Sequence, residues 1–244
     1  MSQQPFQFKK FKVHQDRCAM KVGTDGVLLG AWSSIEHEPK SILDIGAGTG
    51  VIALQLAQRS SASTIDAIEI DDQAHEQCTH NFENSDWADR LFCYHASVQE
   101  FASEMEHKYD LIVSNPPFFK APKSTGSQTQ NTSQERAVAR FTDTLPFKHL
   151  VVCAAHLLSQ NGVFCTILPQ IEVASFIEIA AQNKLFISKI CTIRGIKTSK
   201  IKRCMLAFSL HQSKPKTQEL TIEVSRHNYT QDYKNLVRDF YVKM

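Results

Sequence analysis

SILDIGAGTGVIALQLAQR, residues 41–59, decides the fold class. Ser41–Ile45 is a short apolar run that ends at glycine, the pattern of a buried strand. Thr49–Arg59 then carries Val51, Ile52, Leu54, Leu56 and Ala57 and reads as a helix. Between the two, Gly46, Gly48 and Gly50 let the backbone turn tightly and approach a ligand closely, with the free N–H groups of the helix start behind them. The spacing is G-x-G-x-G and not the G-x-G-x-x-G dinucleotide fingerprint, which opposes a nicotinamide oxidoreductase.

Strands and helices continue to alternate outward from this turn. Thr64–Ile70, Leu91–His95 and Tyr109–Ser114 read as strands, and Asp71–Asn84 and Val98–His107 as helices. Asn115-Pro116-Pro117 stops the strand before it. Lys120–Arg136 is polar and aperiodic, a loop longer than most in compact domains. Thr142–Leu158 returns to helical spacing, Asn161-Gly162 is read as a turn into strand Val163–Leu168, and Ile171–Asn183 as a helix. Leu185–Ile193 and Arg203–Leu210 read as closing strands whose link, Arg194–Lys202, suits a hairpin, and Thr230–Tyr241 as a last helix. The order implies an α/β fold: a doubly wound sheet, mostly parallel, with an antiparallel final strand.

The chain has 244 residues, 42% hydrophobic and 21% charged, which suits one α/β domain with its own core. Residues 1–244 are read as a single domain, with 1–37 an N-terminal extension. No apolar run reaches membrane-spanning length and MSQQPFQFKKFK lacks a signal-peptide core, so a cytoplasmic protein is expected. Seven cysteines without a C-x-x-C pair, and histidines without metal-ligand spacing, read as reduced thiols and solvated or core side chains; no metal is expected.

Net charge is only +2, but its distribution is uneven. Between Glu36 and Asp110 fifteen acids face four bases, whereas Lys184–Lys216 holds nine bases and no acid. Such a division suits a surface with two tasks, one of them binding a polyanion, though a solvated basic face on late strands would look the same. Phe6, Phe8 and Phe11 interleave with lysines and could stack bases, although such rings more often anchor a terminal segment.

Ligands of doubly wound sheets sit at the carboxyl ends of the strands, and two further features lie there. Glu69 ends the second strand, where a carboxylate can accept hydrogen bonds from vicinal ribose hydroxyls. Asn115-Pro116-Pro117-Phe118 ends the fourth: the prolines withdraw two backbone donors, leaving acceptors and one aromatic face, a set that suits a planar NH₂ group beside a stacked ring.

Together these residues resemble class I S-adenosylmethionine-dependent methyltransferases, and the Asn-Pro-Pro-aromatic tetrapeptide is similar to that of enzymes acting on planar amine or amide nitrogens. Phe11-Lys12-Val13-His14-Gln15-Asp16, Lys21-Val22-Gly23-Thr24-Asp25-Gly26-Val27-Leu28-Leu29-Gly30, Asn228-Tyr229-Thr230 and Arg238-Asp239-Phe240-Tyr241 look like the bacterial valine-tRNA adenine-N6 methyltransferase family, over nearly the whole chain.

That resemblance implies S-adenosyl-L-methionine as cofactor and tRNA as partner, the target being the adenosine 3′ of the anticodon. Gly46, Gly48 and Gly50 would approach the methionine portion, Asp44 its amino group, Glu69 the ribose, and Thr24 and Asp25 would close the methionine end. Ser97 stands where many relatives have an acid that contacts the cofactor adenine. Asn115 and the Pro116 carbonyl would accept from the target amine, with Pro117 stiffening the turn and Phe118 stacking on the base. An adenine inside a helical stack cannot reach such a pocket, so a loop nucleotide that splays out is expected. Lys120, Lys123, Arg136 and Arg140 in the long loop, and Arg194, Lys197, Lys200, Lys202 and Arg203 in the late basic segment, are the expected phosphate contacts. The loop is expected to order over RNA. A guanine-N2 RNA methyltransferase, a protein glutamine methyltransferase and a non-catalytic RNA-binding module are the alternatives.

Overall fold

The computed structural model describes residues 4–117 and 146–244. Among the described residues nine strands form one sheet, in spatial order Asn228–Tyr229 (β11), Lys216–Ser225 (β10), Phe186–Ile196 (β8), Arg203–Ser209 (β9), Leu158–Pro169 (β7), Tyr109–Ser114 (β6), Ser41–Ile45 (β3), Thr64–Glu69 (β4) and Leu91–His95 (β5). Its parallel half comprises β3 (Ser41–Ile45), β4 (Thr64–Glu69), β5 (Leu91–His95), β6 (Tyr109–Ser114) and β7 (Leu158–Pro169). Helices α2 (Val51–Arg59), α3 (Asp72–Glu83), α4 (Val98–Glu104) and α5 (Phe147–Leu157) connect or flank these strands. β3 is buried at every residue, as expected of a strand covered on both faces. Two apolar cores result, one containing Ile42, Ile52, Leu56 and Phe82, the other Leu43, Ile112, Leu150 and Phe176 on α6 (Val173–Gln182).

The antiparallel strand is β9 (Arg203–Ser209), which lies between β7 and β8 (Phe186–Ile196) and opposes both. It is not the end of the sheet. β10 (Lys216–Ser225) adds parallel to β8, and β11 (Asn228–Tyr229) turns back against β10 before α7 (Gln231–Val237). Asn161-Gly162 is no turn between elements either: both residues lie inside β7, where a register shift opposite Tyr109–Leu111 absorbs the extra chain.

The N-terminal segment forms a two-stranded ribbon, β1 (Phe6–Gln7) and β2 (Lys12–Val13), then leads into α1 (Thr24–Trp32). Phe8 is wholly buried and stacks on Phe11 at 4.6 Å and on Tyr241 at 5.9 Å, so these rings anchor the terminus and do not serve as a base platform. Lys9 is likewise used internally, donating to the carbonyls of Arg238 and Met244. All seven cysteines are free thiols. Among the described residues no helix is long and apolar enough to cross a membrane.

Candidate active site

The glycine turn sits at the carboxyl end of β3. Gly46 and Ala47 donate to the Ile68 carbonyl at 2.9 and 3.1 Å, and Gly48 donates to Glu69 Oε2 at 2.8 Å. Gly46, Gly48 and Gly50 have φ of 74°, 55° and 77°, a region costly for side-chain-bearing residues. Their surroundings differ. A Cβ added at Gly46 or Gly48 would meet nothing within 4 Å, so this backbone faces open space. At Gly50 a Cβ would stand 2.5 Å from Phe82 Cε1 and 2.8 Å from Cys78 Sγ, so the residue seats α2 against α3.

Asp44 lies beneath the turn and is completely buried. Its Oδ2 accepts from the Ala53 N–H at 3.2 Å, while Oδ1 has no hydrogen-bond partner. Burial pushes the carboxyl up to about 7, against the Ala53 N–H, which lowers it, and with the Glu69 charge raising it further. A buried carboxylate oxygen without a donor is costly, and a cationic ligand over the turn would supply one.

Glu69 is buried at the end of β4. Its carboxylate accepts from the N–H groups of Gly48 at 2.8 Å, Ile70 at 2.8 Å and Asp71 at 3.0 Å, and so fixes the turn to the β4–α3 junction. Ser97 caps α4: its Oγ accepts from Glu100 N at 3.2 Å and donates to Glu100 Oε2 at 2.7 Å, while Glu100 reaches back to Ser97 N at 2.9 Å.

On the other side of the turn, β3 and β6 pair with Ile45 opposite Ser114, and Ser114 Oγ donates to the Ile45 carbonyl at 2.8 Å. Asn115 follows Ser114 directly, just past the carboxyl end of β6 and next to the end of β3. Asn115 Oδ1 is buried and has no hydrogen-bond partner. Its amide lies against the start of α1, where a Cβ on Gly26 would stand 3.9 Å from Asn115 Nδ2. Pro116 is buried and Pro117 half-buried. Phe118, Lys120, Lys123, Arg136 and Arg140, and with them the loop expected to order over RNA, lie outside the described residues.

Thr24 and Asp25 open α1, Thr24 exposed and Asp25 half-buried. Asp25 Oδ2 accepts from Arg203 Nε at 2.8 Å. Arg203, expected on phosphate, therefore ties β9 to the upstream motif. Arg194 is also engaged: it pairs with Glu219 at 3.0 Å and donates to the Lys197 carbonyl at 3.2 Å. Lys197, Lys200 and Lys202 are exposed.

Two residues that sequence reasoning did not single out hold the upstream segment over the turn. Asn81 accepts from His14 N at 2.8 Å and donates to the carbonyls of His14 and Thr49, each at 2.9 Å. Gln77, one helical turn earlier, accepts from Arg17 N at 3.1 Å. Both are 2% exposed, and the available signal was a pair of amides at i, i+4 on the apolar face of α3. The segment so held carries Cys18, whose thiol is pushed up to about 12 by burial and by the charges of Glu69, Asp71 and Asp16.

The site thus combines an open glycine turn after β3 with two unpartnered buried oxygens, Asp44 Oδ1 at the end of β3 and Asn115 Oδ1 just past the end of the neighbouring β6. Among the described residues no cluster of three or more His, Cys, Asp or Glu could hold a metal ion.

Comparison with known proteins gives the family. Residues 25–145 match the family model described as methyltransferase small domain. A Christiangramia forsetii protein named tRNA1(Val) (adenine(37)-N6)-methyltransferase is 54% identical over 246 residues, covering 100% of both chains. A Flavobacterium psychrophilum protein of the same name is 52% identical over 98% of this chain and 100% of its own. Among solved structures, one described as a predicted O-methyltransferase from Agrobacterium tumefaciens superimposes with a TM-score of 0.67. It is 17% identical, and the match covers 88% of this chain and 96% of that one, a likeness of fold.

Proposed function

The chain belongs to the tRNA1(Val) (adenine(37)-N6)-methyltransferase family, and we propose that it methylates the exocyclic N6 of an adenosine 3′ to the anticodon of a valine tRNA, using S-adenosyl-L-methionine in the cytoplasm. The observation that carries the reading is the pair of orphaned buried oxygens, Asp44 Oδ1 and Asn115 Oδ1, at the ends of the adjacent strands β3 and β6, together with an open glycine turn. Residues 1–37 serve the same domain as an extension that carries Thr24 and Asp25.

When bound, the cofactor supplies an activated methyl group on a sulfonium. Asp44 Oδ1 would accept from its ammonium, and the open backbone of Gly46–Gly48 would hold its methionine portion. Gly50 contributes from behind by seating α2. Glu69 keeps lone pairs for ribose hydroxyls beyond its three backbone contacts, since a carboxylate offers about four acceptor sites. Ser97 would serve the adenine end, with its hydroxyl shared with the helix cap. Thr24 and Asp25 close the methionine end.

Asn115 Oδ1 and the Pro116 carbonyl accept the two hydrogens of the target amine. That arrangement favours a more tetrahedral nitrogen and stabilises the positive charge that develops on it. The remaining work of these residues is to hold the target amine oriented for transfer. No strong base is needed before transfer, because the attacking amine is neutral. Pro117 fixes the turn and Phe118 stacks on the adenine. Phosphate contacts come from the exposed Lys197, Lys200 and Lys202, with Lys120, Lys123, Arg136 and Arg140 as further contacts.

Incubation with labelled S-adenosylmethionine and bulk tRNA from a strain lacking this protein, followed by nucleoside analysis, tests the reading. Label in N6-methyladenosine is the expected result. Label in a guanosine product, or none in tRNA, overturns it.

A further inference from the structure

The carboxyl edge of the sheet divides by charge at the active site. On the β4–β5 side lie Asp71, Asp72 and Glu100 with buried Glu69 beneath, and Arg17 of the upstream segment is paired there with Glu76. On the other side, the chain leaving β8 and returning as β9 carries Lys197, Lys200 and Lys202, all exposed. β10 ends at the same edge, because it pairs parallel to β8 with Glu223 opposite Ile196. Its turn into β11 adds exposed Arg226 and His227, outside every basic segment that the sequence reading assigned.

We infer that the tRNA crosses this edge in one direction, from Asn115 over β7, β9 and β8 to the β10–β11 turn, with Lys197, Lys200, Lys202 and Arg226 on its phosphates. The inference rests on the proposed tRNA reaction and adds to it an orientation and a new contact element.

The hairpin that presents the lysines is braced. Ser199 N donates to the Ile196 carbonyl at 2.9 Å, Lys202 N to the Ile193 carbonyl at 3.0 Å, and Arg194 spans Glu219 and the Lys197 carbonyl. Arg194 and Arg203 act here as struts and the three lysines as the contacts. Glu219 and Asp25 are paired with Arg194 and Arg203, and Glu223 accepts from His227 N at 3.1 Å.

Reach is sufficient. Four strand steps separate β6 from β10, about 19 Å at the usual strand spacing. With phosphates of one strand about 3.4 Å apart along the axis of duplex DNA, and closer in an A-form RNA stem, that spans on the order of six to seven nucleotides. A loop adenosine in the Asn115 pocket therefore leaves the adjoining stem over the basic half and away from the acidic one. Exposed Ile171, Ile196 and Val224 lie along the same half and can contact unstacked bases.

The test is binding of valine tRNA transcript by the full chain across a potassium chloride series. Lys200→Ala/Arg226→Ala is compared with Lys214→Ala/Lys216→Ala, which removes equal charge at the opposite end of β10. Each lost phosphate contact lowers the salt slope by about 0.7–0.9, equivalent to about 5- to 8-fold in affinity at 0.1 M salt relative to 1 M. The edge pair is expected to weaken binding about 25- to 60-fold at 0.1 M and to lower the slope by about 1.4–1.8. The Lys214/Lys216 pair, S-adenosylmethionine affinity and thermal unfolding are expected to stay at wild-type values. An unchanged slope in the edge pair, or equal losses in both pairs, overturns the orientation while leaving the reaction standing if the wild-type chain methylates tRNA. A wild-type chain that neither binds nor methylates tRNA overturns both.

Discussion

Alanine at Gly46 and alanine at Gly50 impose the same backbone penalty and different steric ones. Both glycines sit near φ of +75°, where a side-chain-bearing residue costs about 1–2 kcal/mol. At Gly46 nothing else is added, because the new methyl points into open space. At Gly50 it must displace Phe82 and Cys78, both buried, and overpacking of that kind costs about 1–3 kcal/mol more. Gly50→Ala should therefore destabilise by about 2–5 kcal/mol and Gly46→Ala by about 1–2 kcal/mol. At about 2–4 °C per kcal/mol for a chain of this size, the Tm of Gly50→Ala should lie roughly 2–12 °C below that of Gly46→Ala. Binding should rank the other way: calorimetric titration with S-adenosylmethionine, well below both Tm values, should find Gly50→Ala close to wild type and Gly46→Ala strongly weakened. Equal Tm values would refute the packing role of Gly50. Full affinity in Gly46→Ala would refute the placement of the cofactor over the turn.

Three other measurements bear on the same site. Asp44, with its carboxyl raised to about 7 by burial, binds a proton more tightly in the folded chain than in the unfolded one; stability of the cofactor-free protein should fall as pH rises from about 4 to 7, and affinity for S-adenosylmethionine should rise through pH 7 as Asp44 ionises. In Asp44→Asn both trends should flatten, and a wild-type pH dependence in that variant would remove Asp44 from the account. Ser97→Ala should cost about 0.5–2 kcal/mol in chemical unfolding through the lost cap, and a loss of cofactor affinity beyond the fraction unfolded would assign the hydroxyl to the adenine as well. Asn81→Leu removes the bonds to His14 and Thr49 and should destabilise by about 1–3 kcal/mol for each backbone group left buried without a partner, with amide exchange at His14 and Arg17 accelerating first; unchanged protection there would deny Asn81 its clamping role.

What sequence reasoning reached follows from how local each signal is. The β3–α2 turn was legible because backbone twist, glycine and helix start lie within ten residues. Asn115 was legible because two prolines remove donors wherever they stand. β10 escaped notice because it buries one residue, Leu220, and its other side chains are half-buried or exposed, so neither alternation nor an apolar run marks it. Asn161-Gly162 carries a turn signal that the register of β6 against β7 overrides. Arg203 and Asp25 are 178 residues apart, and no local pattern links a strand-start arginine to a helix-start aspartate. Charge counting therefore shows Arg203 as part of a basic segment and does not show its ion pair with the upstream motif.

The most direct test of the central claim is the single-turnover rate of methyl transfer by Asn115→Ala, with labelled S-adenosylmethionine and valine tRNA both saturating. Removing one preorganised hydrogen-bonding group from a developing charge typically costs about 10²- to 10³-fold. The account predicts a loss of that order in N6-methyladenosine formation, with cofactor affinity and Tm unchanged. A rate within a few-fold of wild type would contradict it.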